Sequence, residues 1–340
     1  FEFAQSGFGH ELRGEWEREC ARVYVAQARF RTDEAMDAFL SLTLAEQRGF
    51  ARRGIEVPLH NGERSAWYVR RQTVQEAEVD ATQYGSDNKA LRVLIHRPLD
   101  RSSSRPRGAL VYFHGGGACV ADARMYTPLA ARYAVDNNLV VFNVDYRLAP
   151  EFKAPTGIVD GYAAVKYVAE NAGELGVDQA RIAIGGESGG AYIAAGAAMV
   201  LARRKESPLV KLCILSAPMV TNLYSRLGKE AMLGIERDHY RAQLWLDELR
   251  ASDIAAQAED PWVFPGCMEP WLAAALPPTV IMTSEFDIYR RVAEEFAALL
   301  VKAGTLLDYC VHPGTTHVWY FDMEHPTSDM FWSDTTKILE

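Results

Sequence analysis

Apolar and polar positions alternate along this chain with two different periods. Through residues 1–50 the apolar side chains recur at helical spacing, which predicts helices over 15–30 and 33–51, the second capped by Thr32 or Asp33. Val23, Val25, Met36, Phe39, Leu40, Leu42 and Leu44 make one buried face, too few for a separate core, so the segment is expected to lie on a larger body. From Ile55-Glu56-Val57-Pro58-Leu59 onward the pattern reads as strand, with Asn61-Gly62 as a hairpin turn. Further strands are predicted over 65–74 and 91–97, with a polar loop over 75–89 between them. This beginning predicts an antiparallel edge.

Beyond residue 108 the pattern becomes strand, helix, strand, helix. The strand candidates are 109–113, 139–144, 181–185, 211–216, 279–283 and 307–311. They are continuous apolar runs, as expected where helices cover both faces of a sheet. Helices are predicted over 126–137, 159–172, 190–204 and 291–303. The result is an α/β fold, a mostly parallel, doubly wound sheet of about eight strands. Residues 219–262 interrupt the rhythm, are helical and loop-like, and read as an inserted cap. Domain organisation follows: an N-terminal helical cap segment (1–54), the first part of the core (55–218), the cap insertion (219–262) and the second part of the core (263–340).

Open sheets of this kind bind ligands at the carboxyl ends of their strands, and the candidate chemistry falls there. Gly186-Glu187-Ser188-Gly189-Gly190 fits G-x-S-x-G, in which a serine sits on a sharp turn from strand to helix. The motif alone is equally compatible with a tight βα turn. A serine hydroxyl needs a base, and the base needs a carboxylate to orient it. Of the eight histidines, His317 follows the last strand and a Pro-Gly turn, where a base belongs. His312, at the strand end, is the alternative and is expected to pack or hydrogen-bond locally. The acid is expected after the penultimate strand, at Asp287, with Glu285 as second choice; either residue can equally be a helix N-cap. His114-Gly115-Gly116-Gly117 supplies a glycine loop whose backbone N–H groups can point into a pocket. Gly116, Gly117 and Gly189 are the expected oxyanion donors. The loop lacks the G-x-G-x-x-G spacing and the Lys-Ser/Thr that a phosphate loop would carry.

These motifs give the chain a specific resemblance. "HGGG" at 114–117, "DYRLAPE" at 145–151 and "GESGG" at 186–190, with "LPPTVIMTSEFD" at 276–287 and "GTTHVW" at 314–319, resemble the hormone-sensitive-lipase family of α/β-hydrolases from about residue 55 to the C-terminus. The resemblance implies an α/β-hydrolase fold with a helical cap, and a structural role for the Tyr-Arg-Leu-Ala-Pro-Glu run in supporting the oxyanion loop. It also implies a serine carboxylesterase for short- to medium-chain acyl or aryl esters, with Ser188, His317 and Asp287 as the triad. Three places depart from the family pattern. The elbow reads Gly-Glu-Ser-Gly-Gly-Ala where the family has Gly-Asp-Ser-Ala-Gly-Gly. The acid loop reads Asp287-Ile288-Tyr289-Arg290-Arg291 where it has Asp-Pro-Leu-Arg-Asp. Val318 stands where a glycine usually follows the histidine. These departures bear on substrate preference, and Val318, Trp262 and Trp319 are the candidate substrate-binding residues. Phe264 and Trp271 are further aromatic candidates for that pocket, with packing as the plainer role for every aromatic.

Composition narrows the field without redirecting it. The chain has 340 residues, 49% hydrophobic and 24% charged, with a net charge of −9. No basic stripe is present, so nucleic acid is not an expected partner. No run approaches the ~18 apolar residues of a membrane span, so no stable membrane insertion is expected. Five cysteines, scattered and without a C-x-x-C pair, argue against a zinc centre or a disulfide framework. No metal and no organic cofactor is expected, and the expected partner is a small-molecule ester. The chain begins with Phe rather than Met, as in a processed or trimmed product, which leaves the compartment open. Two other readings stand beside the esterase: an amide or lactone hydrolase or acyltransferase using the same triad, and a non-catalytic hydrolase-like binding protein or assembly subunit.

Overall fold

The computed structural model describes residues 33–60, 62–99, 105–229 and 235–340. The helix expected over 15–30, Asn61, His10 and Cys20 lie outside the described residues. Eight strands form one sheet: β1 (Gln72–Val79), β2 (Leu91–Pro98), β3 (Arg107–Phe113), β4 (Val140–Asp145), β5 (Val177–Glu187), β6 (Leu212–Ser216), β7 (Thr279–Phe286) and β8 (Leu306–Thr316). Their spatial order is β1-β2-β4-β3-β5-β6-β7-β8. β1 and β2 pair antiparallel, and β2 pairs antiparallel with β4; every other neighbouring pair is parallel. β3 and β5 therefore sit in the middle, and the loops that follow them meet at the carboxyl end of the parallel strands.

The predicted alternation holds from β3 onward. The helices are α4 (Thr127–Asp136), α5 (Thr156–Glu170), α6 (Gly189–Arg203) and α10 (Arg290–Ala303), each within two or three residues of its expected ends. One large core lies between the sheet and α5, α6 and α10, and a second under α4 and the C-terminal helix α11 (Ser328–Leu339). α6 is buried along nearly its whole length. Its alanines and glycines let it approach the sheet closely: a Cβ on Gly190 would collide with the carbonyl oxygen of Phe113.

The first part of the chain departs from expectation. Residues 55–59, expected as a strand, end a helix, α2 (Leu44–His60), which follows α1 (Asp33–Leu40). The alternation of Ile55, Val57 and Leu59 is misleading, because Val57 is 63% exposed while Leu59 is fully buried. The operative spacing is Ile55 to Leu59, one turn of helix, against the second core. The single helix expected over 33–51 is interrupted at Ser41–Thr43 by a capping box. There the Thr43 N–H donates to Glu46 Oε2 at 2.8 Å, and the Glu46 N–H donates back to Thr43 Oγ1 at 3.4 Å. The strand expected over 65–74 is split. Glu63–Val69 forms helix α3, and β1 begins at Gln72 and takes in five residues of the expected loop. The 219–262 segment carries the helices α7 (Leu223–Leu227) and α8 (Ile235–Arg250). Between α8 and β7 lies the short helix α9 (Pro270–Ala273).

Candidate active site

Ser188 stands between β5 and α6 with φ 53° and ψ −116°, a conformation that L-residues rarely adopt. Its backbone is pinned on both sides: its N–H donates to the Ser216 carbonyl at 2.9 Å, and its own carbonyl accepts the Tyr192 N–H. The side chain is thereby presented at the mouth of the turn. Ser188 Oγ lies 3.1 Å from His317 Nε2. His317 Nδ1 lies 2.9 Å from Asp287 Oδ1, which also accepts the Tyr289 N–H at 2.8 Å. Since the carboxylate only accepts, Nδ1 carries the proton and Nε2 faces Ser188 with its lone pair. All three residues are buried. The fold therefore gathers Ser188, His317 and Asp287 from three strand ends.

The alternatives are placed elsewhere. Glu285 Oε2 accepts the Gly314 N–H at 2.7 Å, out on the surface. His312 packs against Trp319, ring centroids 4.7 Å apart, and has its own partners.

The loop after β3 faces the same point. No acceptor among the described residues takes the N–H groups of Gly116, Gly117 or Gly189. Gly189 abuts the backbone of Gly117 and Ala118, where a Cβ would overlap both nitrogens. Gly116, at φ 103°, closes a turn in which its carbonyl accepts the N–H groups of Cys119 and Val120, each at 3.0 Å. The loop is braced from below by the 145–151 run. The Tyr146 hydroxyl donates to the His114 carbonyl at 2.6 Å, and the two rings stack 4.5 Å apart. The Ala149 N–H donates to Ala118 at 2.9 Å.

Glu187 is a second brace. The Tyr112 hydroxyl is within 2.6–2.7 Å of both its carboxyl oxygens, and the Gly115 N–H donates to Oε1 at 3.0 Å. Burial pushes its pKa up to about 8. Among the described residues no cation pairs with this carboxyl, so the acid form is favoured at neutral pH.

A cavity of about 200 Å³ opens onto Ser188. One wall is Ser188 and His317 with Gly116, Gly117 and Val318. The other is helical and apolar, with Phe39 from α1, Ile55 from α2, and Trp245 and Leu246 from α8. Phe39 and Trp245 meet edge to face at 5.1 Å, and the Trp245 indole N–H donates to Gln47. Arg48 of α2 clamps Glu151 through two bonds of 2.6 Å, which ties this wall to the 145–151 run. Val318 lines the cavity at φ 50°, which is costly for a β-branched residue.

Trp262 and Trp319 do not line the cavity, contrary to expectation. Trp319 is turned into an aromatic cluster with His312, Tyr320 and Phe331, and Trp262 lies beneath the Arg203 guanidinium. Phe264 is fully buried in a separate small cluster, and Trp271 is 57% exposed. The aromatics that do face the site are Phe39, Phe50, Trp245, Phe321, Tyr126 and Tyr289. Tyr289 was signalled only by its place in an atypical acid loop; its ring packs edge-on to His317 at 5.0 Å.

Comparison with known proteins agrees with this architecture. Residues 110–321 match a family model described as the alpha/beta hydrolase fold. Carboxylesterase NlhH of Mycobacterium tuberculosis is 35% identical over 219 residues, 61% of this chain; the match spans 65% of that protein, just under two thirds of its length. An arylesterase of Saccharolobus solfataricus is 29% identical over 220 residues, 63% of this chain and 68% of that one. Among solved structures, a hyperthermophilic esterase from the archaeon Pyrobaculum calidifontis superposes with a TM-score of 0.74 at 24% identity, covering 88% of this chain and 91% of that one. The chain belongs to the α/β-hydrolase family, in its hormone-sensitive-lipase-like branch.

Proposed function

We propose that the protein is a serine carboxylesterase acting on small acyl or aryl esters. The observation that carries this reading is the unbroken line from Asp287 Oδ1 through His317 to Ser188 Oγ, at 2.9 and 3.1 Å, opening onto an apolar cavity. Ser188 Oγ attacks the ester carbonyl as His317 Nε2 takes its proton. The negative charge that develops on the carbonyl oxygen falls to the N–H groups of Gly116, Gly117 and Gly189. His317 then gives the proton to the departing alcohol oxygen, leaving an acyl-Ser188 ester. Water, deprotonated by the same nitrogen, releases the acid and restores the serine. Asp287 holds the imidazole in the required tautomer and stabilises its charged form. No step draws on a metal or an organic cofactor.

The esterase names of its relatives support the reaction class. The helical segments over 33–60 and 219–262 supply the apolar wall, and we assign them to the cap. The cavity's about 200 Å³ suits a short acyl chain better than a long one. The test is hydrolysis of p-nitrophenyl acetate, butyrate and octanoate by wild type and Ser188→Ala. The wild type is expected to turn over the short esters and the variant to lose about 10⁶-fold in kcat. A folded wild type inert towards all three esters overturns the reading and moves the weight to a binding role.

A further inference from the structure

Away from the cavity, β8 and α11 bring together three side chains that the esterase reaction does not use. Cys310 Sγ lies 3.7 Å from His312 Nε2, His312 Nε2 lies 3.2 Å from Asp334 Oδ2, and Cys310 Sγ lies 3.9 Å from Asp334 Oδ2. One potential ligand atom from each residue thus falls within 4.8 Å of the other two. We propose that Cys310, His312 and Asp334 form a binding site for a zinc-like, thiophilic divalent cation, independent of the catalytic centre.

Two of the three separations are close to those of ligands around one ion, and the third, Sγ to Oδ2 at 3.9 Å, is a few tenths of an ångström longer. With Zn–S near 2.3 Å and Zn–N or Zn–O near 2.0 Å, tetrahedral angles place S and N about 3.5 Å apart and N and O about 3.3 Å apart. His312 Nδ1 lies 3.3 Å from the Thr283 carbonyl and Nε2 lies 3.2 Å from Asp334 Oδ2; both partners are acceptors, and the single proton of a neutral ring can serve only one of them. A cation on Nε2 leaves that proton on Nδ1, where it donates to the Thr283 carbonyl, the usual outer support of a metal-bound histidine. The Trp319 ring, 4.7 Å away, holds the imidazole in place.

Charge also balances. A thiolate and a carboxylate neutralise a dication, with the neutral imidazole as third ligand and water in the fourth position. The thiol proton leaves to solvent on binding. Lys337 Nζ, 2.9 Å from Asp334 Oδ1, occupies the other carboxylate oxygen and leaves Oδ2 as a single ligand atom. Cys310 and Asp334 are partly exposed while His312 is buried, so an ion enters from solvent onto a fixed base. The spacing in sequence concealed this: Cys310 and His312 are two apart on a strand, and Asp334 joins them only through the packing of α11.

The test uses the full chain, stripped of metal and titrated with Co²⁺. One equivalent is expected to give tetrahedral d–d bands and a near-ultraviolet sulfur-to-cobalt charge-transfer band, both displaced by Zn²⁺. Cys310→Ser is expected to lose the charge-transfer band, and Asp334→Asn to weaken binding by at least about tenfold. Cys267→Ser, which changes another partly exposed thiol, should leave both unchanged. Zn²⁺ should raise the melting temperature of the wild type and not that of Cys310→Ser. Absence of stoichiometric Co²⁺ binding in the wild type, or a charge-transfer band that survives Cys310→Ser, overturns the proposal. His312 and Asp334 would then be an ion pair.

Discussion

Two walls face each other across the cavity. On one, Ser188 sits in a backbone conformation open to few residues, Gly189 and Gly190 abut neighbouring backbone, and the 114–117 loop is held by Tyr146 and Glu187. On the other, Phe39, Ile55, Trp245 and Leu246 make apolar contacts that many side chains of similar volume can replace. On the proposed function the first wall is dictated atom by atom, because ester hydrolysis sets where a proton and an oxyanion must lie. The second is dictated by volume and apolarity. A change on the catalytic wall should therefore act on kcat or on the acid–base balance, and one on the helical wall on KM.

The largest effect expected after loss of the nucleophile is that of Asp287→Asn. The amide can donate to His317 Nδ1 and turn the imidazole to the wrong tautomer, with a loss of about 10⁴-fold in kcat. A pH–rate profile and kcat for p-nitrophenyl butyrate decide it; a loss under tenfold would make Asp287 a mere loop anchor through Tyr289. Glu187→Gln probes the brace beneath. Its folded pKa, near 8, lies above the usual 4.5, so the folded state holds this proton more tightly than the unfolded chain. The associated stability is fully present below pH 4.5 and is lost as pH rises towards 8. Glutamine keeps an acceptor for the Gly115 N–H and never ionises. The variant should match wild type near pH 5 and exceed it at pH 8 by on the order of a few kcal/mol, read from urea unfolding at both values. Parallel curves would place Glu187 as an ordinary carboxylate.

The same contrast explains which parts of the molecule were legible in its sequence. The Ser188 elbow and the 114–117 loop carry glycines that few other residues can replace, Asp287 and His317 follow the last two strands, and the strand ends bring them together. β3 to β8 were legible because buried parallel strands are continuous apolar runs bounded by helices. The helical wall was legible only in part: 33–51 and 219–262 read as helical, as α1, α2 and α8 are, but the helix running through 55–59 read as a strand. Ile55, Val57 and Leu59 satisfy a period of two as readily as Ile55 and Leu59 satisfy one helical turn, and only packing against the second core chooses between them. Trp262 and Trp319 were drawn to the pocket by size, yet an indole buries as well in an aromatic cluster as beside a substrate. The Cys310, His312 and Asp334 cluster rests on a helix–strand contact between residues more than twenty positions apart, which no local motif announces.

The smallest expected effect tests the helical wall directly. Leu246 is one of the contacts between the two walls, since its side chain lies where a Cβ on Gly117 would stand. Leu246→Ala enlarges the cavity and removes apolar contact from the bound acyl chain. Contact felt equally by ester and transition state lowers affinity alone, so KM for p-nitrophenyl butyrate should rise by roughly tenfold or less while kcat stays within about twofold. Octanoate should gain relative to acetate, because the lost methyl groups leave room at the end of the chain. If instead kcat and kcat/KM fall together, Leu246 is holding Gly117 in place for the oxyanion. The division between a wall that performs chemistry and a wall that only measures size would then fail at this one contact.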